Sequence, residues 1–265
     1  ASKSVTLNTT GAIYENTTGV DFTTTTLNIT GEQFGESDNS VETSVAILNA
    51  TTTVGDVYVK ESNGIQLADI DSAGDVDVAT TSGSISLGGT NGVIADGVIE
   101  ITSAGGISDV NGAVINLTAS DIILTAEEGI GASDALEIDT DNTLTLITSG
   151  EDYDIGIDNS GSLNELEVQF VGGDVEVASS NTTLSFDSVT ELLSLTAPLA
   201  DLIFDNSGGS LVLGGLNMTG GDVSLAASGS ILQSGLNRLI ADSAILSTSG
   251  SVGSPTGILL TEVSE

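Results

Sequence analysis

The chain has 265 residues, three Lys or Arg against 38 Asp or Glu, and a formal net charge of −35, with no Cys, no His and no Trp. So few basic residues exclude the footprint that a phosphate-backbone binder needs, and nucleic acid is not an expected partner. Without Cys or His there is no disulfide framework, no thiolate or imidazole metal site and no His- or Cys-based nucleophilic triad.

In chain order, residues 1–53 are Thr-rich and less regular, with a FTTTTLNIT run at 22–30. That run invites an ice-binding reading, but the threonines do not recur at a fixed spacing. From residue 54 onward, apolar residues alternate with polar ones in short pairs: Val57/Val59, Val76/Val78, Ile85/Leu87, Ile99/Ile101, Ile115/Leu117 and Ile122/Leu124. The series continues with Leu144/Leu146, Ile155/Ile157, Val175/Val177, Leu184/Phe186, Leu211/Leu213 and Val223/Leu225. These are half-buried strands of three to five residues. Gly, Asn, Asp and Ser between them supply corners. Residues 189–202, VTELLSLTAPLADL, have some helical spacing, weakened by Thr, Ser and Pro198.

The cassettes repeat as GDVYV (55–59), GDVDV (74–78), GDVEV (173–177) and GDVSL (221–225). A larger block repeats too: ITGEQFGESDNSVE (29–42) matches LTAEEGIGASDALE (124–137), and each is followed by a strand and then by GDVYV or YDIGI (153–157). Repetition of this kind reads as an array of stacked units. A short strand buries little alone, whereas coils stacked about 4.8 Å apart share a continuous aliphatic column. The expected fold is all-β, a single continuous parallel (right-handed) β-helix or β-solenoid over residues 1–265. A spacing of about 20 to 24 residues gives about 11 to 13 coils. An antiparallel β-sandwich is the rival.

GSISLGG (83–89), GDVSLAASGSILQSG (221–235) and GIGASDALEIDTDNTLTLITSG (129–150) resemble the degenerate coils of filamentous-haemagglutinin-type repetitive bacterial surface adhesins. The resemblance covers most of the chain after residue 28 and implies a right-handed β-helix, export, and adhesion or surface architecture. The expectation is a non-enzymatic structural protein, extracellular or at the bacterial cell surface: an adhesin segment, or the subunit of a secreted filament. Its expected partners are a second copy head to tail, neighbouring coils of a longer chain, or a host-cell or glycan surface. No membrane insertion is expected, since no apolar run reaches about 18 residues. The start at Ala1, without an initiator Met, fits a processed segment or a piece of a longer polypeptide.

Two alternatives use the carboxylates. A glycoside hydrolase needs two of them about 5 to 10 Å apart, and Asp139/Asp141 or Asp152/Asp154 are i, i+2 pairs. A calcium-stabilised surface-layer or biofilm-matrix protein would use Asp134, Asp139 and Asp141 for a weakly bound ion. EF-hand spacing from Asp139 fails, because Thr143 and Leu144 stand where an oxygen ligand and a glycine belong. GIGASD (129–134) echoes the glycine–aspartate repeat of calcium-binding β-rolls without a tandem copy. No resident cofactor is expected. Seven Asn-x-Ser/Thr sequons occur, at Asn8, Asn16, Asn28, Asn49, Asn116, Asn181 and Asn217.

Overall fold

A computed structural model describes residues 3–15, 18–151, 153–161, 165–171, 175–179, 194–196, 202–206, 210–213, 215–233, 238–253 and 261–263. Among them there is no helix, so none is long and apolar enough to cross a membrane. The chain divides into two compact units, residues 1–129 and 130–265.

In the first unit, each strand pairs in parallel with the equivalent strand one turn later, which is how a solenoid coil returns to its own register. Leu7, Ile29, Ala50, Ile70, Val93 and Leu117 stack in one column, each 20 to 24 residues after the last. A second column runs Val5, Leu27, Leu48, Leu67 and Leu87. A third runs Ile13, Phe34, Val57, Val76, Ile99 and Ile122. Because side chains alternate across a strand, residues at i and i+2 face the same interior and stack in adjacent columns. From Leu27 to Leu87 the second column is wholly enclosed.

The second unit follows the same rule. Ile130, Ile155, Val175, Leu202, Val223 and Ala244 are in register, as are Leu136, Ile157, Val177, Phe204, Leu225 and Leu246. The fold is therefore a parallel β-solenoid, as expected, and the antiparallel rival is overturned by the parallel ladders. It has about nine turns, where the cassettes suggest 11 to 13; coil length varies, with 20 residues between Ala50 and Ile70 and 25 between Ile130 and Ile155. Regular pairing also runs across residue 53, from Val41–Thr52 to Val57–Glu61 and Ile65–Ser72.

Corners are closed by side chains that end each strand. Thr52, Ser72, Thr80 and Ser103 are buried, and each donates its hydroxyl to the carbonyl three residues on, at Gly55, Asp75, Gly83 and Gly106. A buried hydroxyl needs such a partner, and the corner carbonyl supplies it.

Three details depart from the sequence reading. Ile115 is exposed and outside any strand, while Asn116 is fully buried. The Asn116 amide donates to Asp109 Oδ1 at 2.7 Å, and that bond selects which neighbour turns inward. Ser194–Thr196 is a strand within the stretch given some helical spacing. Leu184, Phe186, the Gly173 and Asp174 of GDVEV, and Asp152 lie outside the described residues.

Candidate functional site

The repeated block seen in sequence is one structural device built twice, once in each unit. Phe34 and Ile130 each form an isolated parallel bridge, to Ile13 and Val57 in one case and to Ile155 in the other. Both side chains are fully buried. Each is followed by a left-handed glycine, Gly35 with φ 83° and Gly131 with φ 62°. A Cβ on Gly35 would lie 2.4 Å from the Tyr58 carbonyl oxygen, and one on Gly131 would lie 2.2 Å from that of Gly156. Both φ and close approach therefore demand glycine.

After the glycine the chain swings outward through Ser37 and Asp38, or Ser133 and Asp134, before re-entering the wall at Val41 or Leu136. Each excursion leaves a cleft. The first, about 400 Å³, is lined by Glu15, Ser37, Asp38, Asn39, Glu42 and Lys60 among others. The second, about 330 Å³, is lined by residues 131–135 together with Asp154, Ile155 and Gly156.

The first cleft is held by Glu42. Its Oε1 accepts Lys60 Nζ at 3.0 Å, and its Oε2 accepts the Gly19 N–H at 2.8 Å. Its own N–H donates to Asp21 Oδ2 at 3.2 Å. The Lys60 hydrogen bond, then the Gly19 amide, hold the Glu42 carboxyl below its usual range. The Glu15 carboxyl is raised, first by lost solvation and then by the negative charges of Asp21 and Glu42. Asn39 Nδ2 donates to the Glu15 carbonyl at 3.1 Å, tying this excursion to the preceding coil. A smaller cavity of about 180 Å³ adjoins across Glu42 and Lys60.

Of the residues singled out in sequence, Asp134 is exposed on the second cleft, which Asp154 also lines. Asp139 ends the strand Leu136–Asp139 half-buried, and Asp141 is exposed two residues later. The cleft gathers Asp134 and Asp154, while Asp139 and Asp141 are not among its lining residues. Among the described residues, no group of three or more acidic side chains converges to hold a metal ion.

Several carboxylates that the sequence analysis did not single out do structural work. Asp56 Oδ1 accepts the N–H of Asp75, and Asp75 Oδ1 accepts that of Val98, both at 2.8 Å, so the Asp of GDVYV and that of GDVDV each grip the next coil. Asp69 Oδ1 accepts the N–H groups of Thr90 and Asn91 at 2.8 Å, which lower its carboxyl pKa. Glu61 is wholly buried in a corner and accepts Thr43 Oγ1 at 2.7 Å and the amides of Val45 and Asn63 at 3.0 and 3.1 Å. The GD dipeptides at one-coil spacing carried the signal for the first; nothing local marked Glu61.

The ladders, corners and twin clefts define a repetitive parallel β-solenoid, or β-helix, protein. No family model matches the chain, and neither does any curated protein or solved structure.

Proposed function

We propose that this chain is a non-enzymatic segment of an extracellular, adhesin-type bacterial surface protein, a scaffold whose twin clefts touch hydroxyl-rich glycans on another surface. The observation that carries the reading is the duplication of the cleft, with a Ser-Asp pair on each rim and a glycine-dependent turn behind it. Volumes of about 330 and 400 Å³ lie at the lower end of the range for small-ligand sites. Carboxylates beside serine hydroxyls offer acceptors and donors to a sugar diol. Use of Asp56, Asp75, Asp69 and Glu61 as backbone acceptors fits a scaffold, since those oxygens are already engaged.

The test is binding of the immobilised chain to a glycan array and to cells, with reducing ends assayed alongside. Binding without release of reducing ends, lost on combining Asp38→Asn with Asp134→Asn, supports the reading. Release of reducing ends would replace it with the glycoside-hydrolase alternative. Binding unaffected by the double substitution would remove the clefts from the account.

A further inference from the structure

Asp109 stands where the second column of the first unit carries a leucine on the rungs before it. It pairs in register with Leu87, which pairs with Leu67, and it is buried as they are. A carboxylate on an aliphatic column is unfavourable unless its oxygens are engaged. The backbone engages them in part: the Asn111 N–H donates to Asp109 Oδ1 and the Gly112 N–H to Oδ2, both at 2.9 Å. Asn116, fully buried, turns inward beside it.

The three side chains meet in a triangle. Asn116 Nδ2 lies 2.7 Å from both Asp109 Oδ1 and Asn111 Oδ1. Asn111 Oδ1 lies 2.5 Å from Asp109 Oδ1 and 3.3 Å from the Val114 carbonyl oxygen. An ionised carboxylate oxygen only accepts, so both amides would have to offer it a nitrogen. Turning the Asn111 amide over does so, and sets its Nδ2 against Asn116 Nδ2 at 2.7 Å, two donors face to face. It also gives up the bond from Asn111 Nδ2 to the Gly89 carbonyl at 3.5 Å. Turning Asn116 as well repairs that edge, but brings an amide oxygen against Asp109 Oδ1. No arrangement of the two amides gives every edge of the triangle a donor and an acceptor.

We propose that the loop 109–116 holds a divalent cation of the calcium class, ligated by Asp109 Oδ1, Asn111 Oδ1 and the Val114 carbonyl, with the Asn116 side-chain oxygen joining when its amide turns over. A cation removes the conflict, because every corner of the triangle can then be an oxygen. Carboxylate, amide and backbone carbonyl oxygens are the ligands calcium takes, in a flexible shell, whereas magnesium demands a near-regular octahedron and sheds water reluctantly. Gly112 and Ala113 are exposed, so water reaches the loop to complete the shell. With a single carboxylate, the dissociation constant belongs at about 10⁻⁴ to 10⁻³ M. The field of a chain with net charge −35 raises the local cation concentration. None of these ligands lines either cleft, so the inference stands or falls independently of glycan binding.

Thermal unfolding of the full 265-residue chain, titrated at constant ionic strength with calcium chloride and separately with magnesium chloride, tests it. Amide hydrogen exchange is the local readout. The expected result is a saturable rise in melting temperature with a midpoint at about 0.1 to 1 mM calcium and a smaller rise with magnesium. Exchange at Asn111 and Gly112 should slow when calcium is added. Asp109→Asn removes the one charge among the ligands while keeping their shape, so the calcium response should be lost; Asn111→Ala should weaken it. If Asp109→Asn alters the far-ultraviolet circular dichroism spectrum, Asn111→Ala gives the answer. A response that magnesium matches, or one unchanged in both variants, is diffuse screening of the 38 carboxylates and overturns the proposal. So does a chain indifferent to calcium, including one stabilised only on acidification, which would put a proton between Asp109 Oδ1 and Asn111 Oδ1 instead.

Discussion

Gly74→Ala should destabilise the first unit because of a residue in the preceding coil. Gly74 is not among the glycines with positive φ, so its backbone does not itself forbid alanine. An added Cβ would lie 2.1 Å from Asp56 Oδ1, the oxygen that accepts the Asp75 N–H. The carboxylate must move, and a hydrogen bond to a charged acceptor is worth about 1.5 to 3 kcal/mol. Against this, the alanine narrows the unfolded ensemble, which stabilises by about 0.4 to 1 kcal/mol. The net expectation is a loss of about 1 to 2 kcal/mol, read as a lower urea midpoint with an unchanged slope. In an Asp56→Ala background the carboxylate clash is gone and only the contact with the Gly55 carbonyl carbon at 3.1 Å remains, so Gly74→Ala should cost clearly less there. A double-mutant cycle isolates that coupling. An equal cost in both backgrounds, or stabilisation in the wild-type chain, would refute the idea that the Gly-Asp cassette is a register device between coils.

Glu61→Ala should cost about 3 kcal/mol or more, since it strands the Thr43 hydroxyl and the Val45 and Asn63 amides in a buried corner, whereas Glu61→Gln should cost less; chemical denaturation compares them. Asp77 stacks on Glu100, and burial, then that charge, raises the Asp77 carboxyl pKa. A raised carboxyl destabilises the fold above its folded pKa, so this contribution improves as pH falls through that pKa toward the unfolded value. Glu100→Gln should therefore stabilise by about 0.2 to 1 kcal/mol at pH 7 and flatten that acid-side gain, which urea midpoints measured across pH will register. Because a net charge of −35 repels itself, melting temperature should rise with ionic strength; a flat or falling salt titration would contradict this.

Most of the fold was legible because its two periods are written in the residues: alternation within a strand and cassette spacing between coils. Val57/Val59 and Val76/Val78 were read as paired strands, and they stack directly on one another. Ile115/Leu117 misled, because alternation cannot reveal that Asp109 draws the Asn116 amide inward. Coil length was legible only on average, because an excursion such as 131–135 adds residues without adding a rung. The site was legible in part. The repeated block pointed to the twin clefts, and GIGASD drew attention to Asp134. That Asp134 and Asp154 line one cleft was not legible, since it depends on which coil lies above which. Three of the seven sequons are also resolved by structure: Asn28 and Asn49 donate their amides along the axis and Asn116 is buried, whereas Asn8 is exposed.

The central claim is parallel stacking in register, and the cysteine-free chain allows it to be measured by spin labels at introduced cysteines. Gln66, Ser86 and Ser108 occupy one outward column on successive rungs. The account predicts strong, equal dipolar broadening for the 66/86 and 86/108 pairs, whose backbones are about 4.8 Å apart, and weaker broadening for 66/108 at about twice that separation. Unequal broadening for the two adjacent pairs, or a closer 66/108 pair, would contradict it.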